Sequence, residues 1–449
     1  MFSLILLPAL LLQSPAASDE DYRVYTDAPR LFLTARRLKL LRRERDRESM
    51  RWQHFQVLMA GKAAMPEPGL ARALYYQIKG DAASAKQAAE WALGPGADLR
   101  QQALVYDWCL PALSPEQANA LGERMEKAIL QSAAKTDVPA VSARALAAIA
   151  LSERKPELSR QVIRQTVVEW WRGSVVPSIK AGAPAIRRDD ILPLFELLHA
   201  VRDNVNIDLR DLAPDFFQKL PSFLLLTYYP APYPAPENEY RIPVYYDNGD
   251  PDLRRASLAR AAEFAMVAFD TNALESQFLQ GWLLQDRFLM QSPLGAPYEM
   301  LWANPYQPGL SYFHLPLVFH DEKRKGGGVA MRSSWEESAV LFTYFDGKAQ
   351  VFEDGRRKAV NLGKPGKPFR VADAVVTTDL AFDAAAPVYF VAGLQPGGMY
   401  DVEVDDEEMR EERADAGGML VLNFSPGGAG APGVRIHPRG RAPLRAAAP

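Results

Sequence analysis

The sequence predicts a multidomain protein, with an N-terminal incomplete α/α toroid of antiparallel helix pairs followed by a C-terminal antiparallel β-sandwich. Ala- and Leu-rich segments with apolar residues at helical spacing fill the chain up to about residue 325. The basic, Gly-rich run Lys323–Gly328 then marks a change in composition. After it, short runs of β-branched and aromatic residues are separated by Gly, Pro and Asp. Two such different patterns predict two domains with separate cores, and ligand sites often lie between domains.

The helical region consists of segments joined by short turns, several of which have recognisable ends. One helix ends at Gly80, and Asp81 directly after it can cap the next helix. Farther along, Ser114 and Pro115 place a cap and a first-turn proline before another helix. No pattern of residue identity recurs at a fixed period, which argues against a regular TPR or HEAT array and favours an irregular toroid. The predicted helices span residues 35–50, 67–79, 82–93, 101–110, 118–134, 138–152, 156–171, 189–203, 212–226, 252–269 and 272–290.

The region after residue 326 has the pattern of short strands joined by tight turns. Asp346-Gly347 and Asp354-Gly355 are turn dipeptides of the kind found in β-hairpins. In the acidic run 401–408, Val402 and Val404 alternate with acidic residues, which favours a hairpin with one solvated face over a calcium-binding loop. The predicted strands span residues 329–333, 338–345, 349–352, 371–378, 388–391, 399–404, 419–424 and 434–437.

The start of the chain has the pattern of an export signal. The apolar run Leu4–Leu12 is too short to span a bilayer, and small residues follow it at positions 14–18. The sequence therefore predicts a periplasmic or secreted protein without a stable membrane span, and leaves open whether the apolar segment is cleaved. The predicted units are a signal peptide at 1–18, a helical domain at 19–325, a β-sandwich at 326–438 and a disordered tail at 439–449.

Composition and charge exclude several classes of function. The chain has 449 residues, of which 24% are charged, and its formal net charge of -3 gives no electrostatic basis for nucleic-acid binding. Cys109 is the only cysteine, so neither an intrachain disulfide nor a thiolate metal cage is possible; it is expected to be a small buried apolar residue. His314 and His320 lack the spacing and carboxylate support of a zinc site. No P-loop or dinucleotide fingerprint occurs, and the sequence predicts no metal and no cofactor.

A Pro-rich segment at 228–251 interrupts the helices and is the first candidate site. Its prolines exclude a helix, and a long loop in a compact domain is often functional. It could supply an amide, phenols and a guanidinium, or its tyrosines could simply pack the loop on the toroid. The candidate residues are Asn238, Tyr240, Arg241, Tyr245 and Tyr246.

A second candidate surface lies at 298–314, where aromatic rings could stack on sugar faces and polar groups could bind hydroxyls. The alternative is an aromatic seam that joins the two domains. The candidate residues of this segment are Trp302, Asn304, Tyr306 and His314. Farther upstream, His199 lies on the apolar face of a predicted helix. It could be a proton carrier, or it could be a core residue.

Three short motifs resemble those of a known family, the heparinase II/III-like polysaccharide lyases and their alginate-lyase relatives. The matching order of a helical domain and a β-sandwich extends this resemblance to nearly the whole chain. The motifs are Pro29-Arg30-Leu31-Phe32-Leu33-Thr34, then Gly80-Asp81 with Ala88, Glu90-Trp91-Ala92 and Leu104-Val105-Tyr106-Asp107-Trp108, and finally Met331-Arg332-Ser333-Ser334-Trp335.

The resemblance implies cleavage of an acidic polysaccharide by β-elimination next to a uronate. This chemistry needs a group that neutralises the substrate carboxylate, a base and an acid. Among the groups available in this chain, we assign Tyr240 as base or acid, Arg241 or Asn238 as the neutralising group, and His199 as the second proton carrier. The substrate-binding residues would be Tyr245, Tyr246, Trp302, Asn304, Tyr306 and His314.

The sequence also departs from this family. The run Thr343–Phe352 contains no histidine where the family commonly carries a His-rich strand, and the helical half lacks the Asn-His pair typical of the family's active site. A second hypothesis is therefore a non-catalytic glycan-binding protein that retains the architecture, and a third is a structural envelope protein.

Overall fold

The computed structural model describes residues 21–61, 63–235, 239–285, 290–425 and 431–439. The predicted signal peptide, the candidate residue Asn238 and residues 440–449 of the predicted tail lie outside this part of the chain.

The first part of the chain is helical, as the sequence predicts. Its α-helices are α1 Ala35–Asp46, α2 Met50–Ala60, α3 Pro68–Lys79, α4 Ala82–Leu93, α5 Leu99–Cys109, α6 Pro115–Gln131, α7 Val138–Ala150, α8 Pro156–Arg164, α9 Val176–Lys180, α10 Ile191–Val205, α11 Pro214–Leu226, α12 Leu253–Phe269, α13 Leu274–Gln285 and α14 Gly295–Trp302. The π-helical turns Gln165–Val175 join α8 to α9 without a break.

Side-chain caps set many of these helix ends. Asp81 accepts a hydrogen bond from the Ser84 amide at the start of α4, and Ser114 forms a capping box with Gln117 at the start of α6. The predicted helix 35–50 ends early, at Asp46, and α2 is a further helix that is not among the predicted ones. Ser49 caps α2, directly after Glu48, which has a φ of 50°. The left-handed residue and the cap that follows it therefore end one helix and begin another.

Alternate helices form an inner ring. Along the chain, α3, α5, α7, α10, α12 and α14 each pack against the next, and α14 also packs against α2 and α3, where the series began. Helices of this ring are buried over most of their length, whereas α4 and α6, which pack outside it, are buried along one face. The predicted order of a helical domain followed by a β domain is confirmed.

In the described part of the chain, the strands that follow the helices form three sheets, and two strands before α12 form a separate two-stranded sheet. The strands are β1 Tyr233–Pro234, β2 Glu239–Tyr240, β3 Val318–His320, β4 Gly328–Arg332, β5 Leu341–Phe345, β6 Lys348–Glu353, β7 Arg356–Val360, β8 Phe369–Val371, β9 Ala374–Thr377, β10 Ala381–Asp383, β11 Val388–Val391, β12 Met399–Val404, β13 Glu408–Arg413, β14 Leu420–Asn423 and β15 Gly433–Pro438. The first two strands form a small hairpin within the Pro-rich loop.

The three sheets stack as layers. A five-stranded sheet has the order β3-β4-β5-β6-β7, a central sheet the order β14-β11-β9-β8, and an outer sheet the order β10-β15-β12-β13. Val376 and Phe390 of the central sheet pack with the five-stranded sheet, whereas Val375 and Tyr389 pack with the outer sheet. Every pair within these layers is antiparallel except β9 with β11, which is parallel. The β domain is thus a sandwich extended by a third layer.

The five-stranded sheet also contacts the helical domain. Its residues Leu341 and Phe352 belong to the same buried cluster as the helices, so both faces of this sheet are covered. The sheet begins with β3, so strand pairing starts before the predicted boundary at residue 326. No described helix is long and apolar enough to cross a bilayer.

Candidate functional site

The Pro-rich loop lies across the face of the five-stranded sheet. The ring of Tyr229 packs on Phe352 of β6, with centroids 5.0 Å apart, and its hydroxyl donates to the Tyr245 carbonyl at 3.0 Å. Tyr240 pairs with Tyr233 in the small hairpin and is buried. Packing of the tyrosines was one of the two predicted roles, and it holds the loop in the junction between the domains.

Arg241 fastens this loop to the turn that follows β4. One terminal nitrogen donates to the Pro230 carbonyl at 2.5 Å, and the other lies 3.3 Å from the Glu337 carboxylate. The side chain is about one-quarter exposed, at 26%. Arg241 therefore lies beside the Arg332–Trp335 motif, which the sequence indicates only as the entry to the β domain.

Arg332, at the end of β4, is a buried cation without a carboxylate partner among the described residues. The residue is 5% exposed, its Nε donates to the Ser334 carbonyl at 2.8 Å, and its guanidinium lies 4.7 Å from the Trp335 ring centroid. Burial lowers the pKa of Arg332 to about 10, and the positive charge of Arg241 acts in the same direction. Arg332 remains charged at neutral pH, so two guanidinium groups share this site.

Aromatic rings continue the site toward solvent. The rings of Trp335 and Tyr312 meet edge to face at 5.0 Å, and Tyr312 stacks on Phe313 at 4.6 Å. Phe313 is 48% exposed, and His314 next to it is exposed. We refer to Arg241, Arg332, Trp335, Tyr312 and Phe313 as the arginine–aromatic face.

The arginine–aromatic face combines the two contacts that an acidic sugar requires. Guanidinium groups bind carboxylates or sulfates through paired hydrogen bonds, and aromatic rings cover apolar ring faces. The fold thus brings together parts of the two surfaces that the sequence predicts separately, Arg241 from the loop and the residues beside His314 from segment 298–314.

His199 lies elsewhere, in the core of the helical ring. It is 0% exposed, its Nε2 donates to the Ala265 carbonyl at 2.9 Å, and its ring lies 4.6 Å from the ring of Trp302. Trp302 is 2% exposed and also packs on Phe32. In this conformation neither side chain can touch a polysaccharide, and both are core residues. Their proposed roles in catalysis and substrate binding stay predictions.

Burial has a direct effect on the charge of His199. Desolvation lowers its pKa from 6.5 to about 4, opposed by a hydrogen bond to Asp203 and reinforced by the positive charge of Arg37. A histidine that is neutral in the folded state stabilises the fold fully above its unfolded pKa of 6.5. This contribution is lost as the pH falls through 6.5 toward 4, where the unfolded chain binds a proton that the folded protein excludes.

We therefore expect the free energy of unfolding to fall on the order of 3 kcal/mol between pH 6.5 and pH 4 because of His199. Urea unfolding at a series of pH values would measure it. His199→Gln keeps a donor for Ala265 and should flatten this part of the profile, whereas His437→Gln, at an exposed position, should leave it unchanged. If the free energy of unfolding fell equally steeply with pH in the unchanged protein and in His199→Gln, His199 would not be the group responsible.

The remaining predicted site residues are distributed over the surface. Tyr246 borders a groove at the edge of the five-stranded sheet, and its hydroxyl donates to Thr343 at 3.2 Å. The ring of Tyr245 packs against the guanidinium of Arg357, 3.8 Å from the ring centroid. Asn304 accepts a hydrogen bond from the Tyr306 amide at 3.2 Å, and the Tyr306 ring is exposed. The described contacts do not join these two pairs.

A cavity of about 460 Å³ lies at another part of the domain junction, between α11 and β3. Phe223 and Phe319 form part of its apolar wall, and Lys219 on its rim is paired with Asp321 at 3.3 Å. None of the predicted site residues lines it. This cavity between the domains therefore lies at a place that the sequence does not indicate.

The single cysteine and the potential metal ligands of the described residues give no sign of a second reactive site. Cys109 is fully buried in α5, and burial raises its pKa to about 12, as suits an apolar core residue rather than a nucleophile. Within the described ranges, no three His, Cys, Asp or Glu side chains come together in a way that could hold a metal ion.

Comparison with known proteins adds no identification. The chain matches no protein-family model and no curated protein. The function must therefore be inferred from the geometry of the chain itself.

Of the arginine–aromatic face, only Arg241 is a candidate from the sequence; Arg332 and Trp335 appear there only as part of a family motif. Arg332 is the most consequential of the residues missed. Its neighbours Ala330 and Met331 belong to a buried strand. An arginine at the end of such a strand, three residues before a tryptophan, is the feature of the sequence that could have indicated a binding residue. The approach of Arg241 and Tyr312 depends on how the loop folds over the sheet, which no local pattern encodes.

Proposed function

We propose that this protein is an exported carbohydrate-active protein that binds an acidic polysaccharide at the arginine–aromatic face. The observation that carries the proposal is the buried guanidinium of Arg332, which has no carboxylate partner among the described residues. It lies against the Trp335 ring, from which aromatic rings continue to the exposed Phe313.

A buried cation is costly unless a counter-charge compensates it. Arg241 is close enough to lower the pKa of Arg332, so the two cations repel each other. Glu337 pairs with Arg241, at 3.3 Å, and not with Arg332. An anionic ligand group between the two arginines would relieve the repulsion, while Phe313 and Tyr312 supply a surface for the adjoining sugar ring.

Cleavage by β-elimination is the second candidate function, and its specific support is the position of Tyr240. This tyrosine directly precedes Arg241 in the chain, so a phenol and a carboxylate-binding guanidinium lie on adjacent residues. A lyase would use Tyr240 as base or acid, which requires its phenol to become accessible, because the residue is 5% exposed in this conformation. His199 is sealed in the core, so another group would have to carry the second proton. The test is ultraviolet absorbance of an unsaturated uronate product, which Tyr240→Phe should abolish.

Binding can be tested independently of cleavage. We expect the unchanged protein to bind oligosaccharides of alginate, heparan sulfate or chondroitin sulfate, but not neutral dextran, in isothermal titration calorimetry. Arg332→Gln should weaken this binding about tenfold, because it removes a charge-assisted contact. Phe313→Ser should also weaken it, through an exposed position whose replacement spares the core.

Arg370→Gln is the matched control, since Arg370 is an exposed strand arginine that also bonds a backbone carbonyl, that of Ala385 at 3.3 Å. Its affinity should equal that of the unchanged protein. Equal binding of dextran and acidic chains, or full affinity in Arg332→Gln and Phe313→Ser, would refute the proposal. A purely structural envelope protein would bind none of these glycans.

A further inference from the structure

A groove of about 900 Å³ runs along β7, at the edge of the five-stranded sheet. The loop residues Tyr246–Asn248 and the residues 361–363 that follow β7 line it. The floor includes Gln350, a buried polar residue whose amide donates to the Tyr245 carbonyl at 3.2 Å. The groove is therefore polar and borders the loop that carries Arg241.

The groove carries an excess of positive charge. Its lining includes Lys348, Arg356 and Arg357 but only one acidic residue, Asp247. Within the described residues, none of the three cations forms an ion pair with a carboxylate. Arg357 bonds backbone carbonyls instead, at 2.9 Å for Gly249, which holds the loop but leaves the charge uncompensated. The groove is thus suited to anionic groups.

Strand register connects this groove to the arginine–aromatic face. Arg332 pairs with Leu341, Leu341 with Phe352, and Phe352 with Arg357. Directly paired residues of antiparallel strands share one face of a sheet, so both arginines belong to the face that contacts the helical domain. They lie three strand spacings apart, about 14 Å. The Pro-rich loop packs on Phe352 between them.

We infer that the groove is a second anion subsite for the ligand of the arginine–aromatic face. This inference rests on the proposed function and narrows its substrate class. Two cationic sites about 14 Å apart, on either side of the loop, require a chain that repeats its carboxylate or sulfate groups. The ligand is therefore a linear polyanionic glycan that crosses the loop, and not a glycan with a single terminal acidic sugar.

The test compares chain lengths. Alginate, heparan sulfate and chondroitin sulfate are each titrated as a disaccharide and as a long oligomer, with the unchanged protein and with Lys348→Gln/Arg356→Gln. The side chains of these two residues form no hydrogen bond or ion pair among the described residues. Their replacement should therefore preserve the fold, and thermal unfolding would check this. The double variant should bind the long oligomer about fivefold more weakly, as expected for two exposed charge contacts.

Two further measurements separate the subsite from a general effect of charge. Disaccharide affinity should be unchanged in the double variant, because the arginine–aromatic face is intact. Added salt should weaken long-oligomer binding less steeply in the variant than in the unchanged protein. The control Lys358→Gln removes a cation of the same strand that does not line the groove and pairs with Glu353 at 3.4 Å. It should behave as the unchanged protein.

The outcomes are distinguishable. Full long-oligomer affinity in Lys348→Gln/Arg356→Gln, together with weakened binding in Arg332→Gln, would overturn the second subsite and leave the proposed function standing. Equal losses in the double variant and in Lys358→Gln would also overturn it, since they indicate a nonspecific effect of charge. Absence of binding to every acidic oligomer by the unchanged protein would overturn both.

Discussion

Replacement of Arg100 by Met is expected to lower the free energy of unfolding by about 3–5 kcal/mol, because it leaves a buried carboxylate without its counter-charge. Arg100 of α5 binds Glu196 of α10 through two parallel hydrogen bonds of 2.7 and 2.5 Å. The Glu196 side chain is 1% exposed. Burial raises the pKa of the Glu196 carboxyl, and Arg100 opposes that rise.

The same guanidinium joins other members of the inner ring. It donates to Glu67, which precedes α3, at 2.9 Å, and to the Tyr298 hydroxyl of α14 at 3.0 Å. Tyr298 in turn donates to Glu67 at 2.7 Å. This network therefore fastens the last helix of the ring to the first, and its loss should also loosen α14.

Urea unfolding at neutral pH, followed by tryptophan fluorescence, measures the effect. The matched control is Arg160→Met, because Arg160 pairs with Glu157 at 2.5 Å on an exposed helix surface. That change should cost no more than about 0.5 kcal/mol. The double variant Arg100→Met/Glu196→Met should recover part of the loss, since the most deeply buried carboxylate of the network, that of Glu196, is removed as well. If Arg100→Met cost no more than Arg160→Met, the network would have no stabilising role.

The sequence predicts most helices because their ends are set locally. Asp81 and Ser114 cap helices through contacts within three residues, so these helix starts can be recognised from the sequence alone. The helix α14 was missed because Gly295 and Pro297 usually interrupt helices. Both lie in its first turn, where a proline removes an amide that has no partner within the helix.

The site is less predictable because it depends on pairing between distant segments. The sequence marks Arg241 and His314 as candidates in separate segments, but only the fold over β4 brings their surroundings to Arg332. The parallel pairing of β9 with β11 is equally non-local. His199 shows a different difficulty. An apolar helical pattern around a histidine is compatible with both a core residue and a proton carrier until the exposure of the histidine is known.

Replacement of Gly182 by Ala is expected to lower the free energy of unfolding by about 4 kcal/mol, as the sum of overpacking and backbone strain. Gly182 follows α9 and has a φ of 73°. A Cβ at this position would lie 1.7 Å from the carbonyl oxygen of Lys323, which is backbone of the turn between β3 and β4. Neither chain segment can move away easily, because the Lys325 amide donates to the Gly182 carbonyl at 2.8 Å.

The matched control separates the two costs of this substitution. Gly80 has a φ of 78°, and a Cβ there would meet no atom within 4 Å. Gly80→Ala should therefore cost only the strain of a left-handed alanine, about 1 kcal/mol. Because Gly182 lies where the helical and β domains touch backbone to backbone, Gly182→Ala should also speed hydrogen exchange of the Lys325 amide, and Gly80→Ala should not. Equal destabilisation by both variants, with Lys325 protected in each, would show that this contact does not hold the domains together.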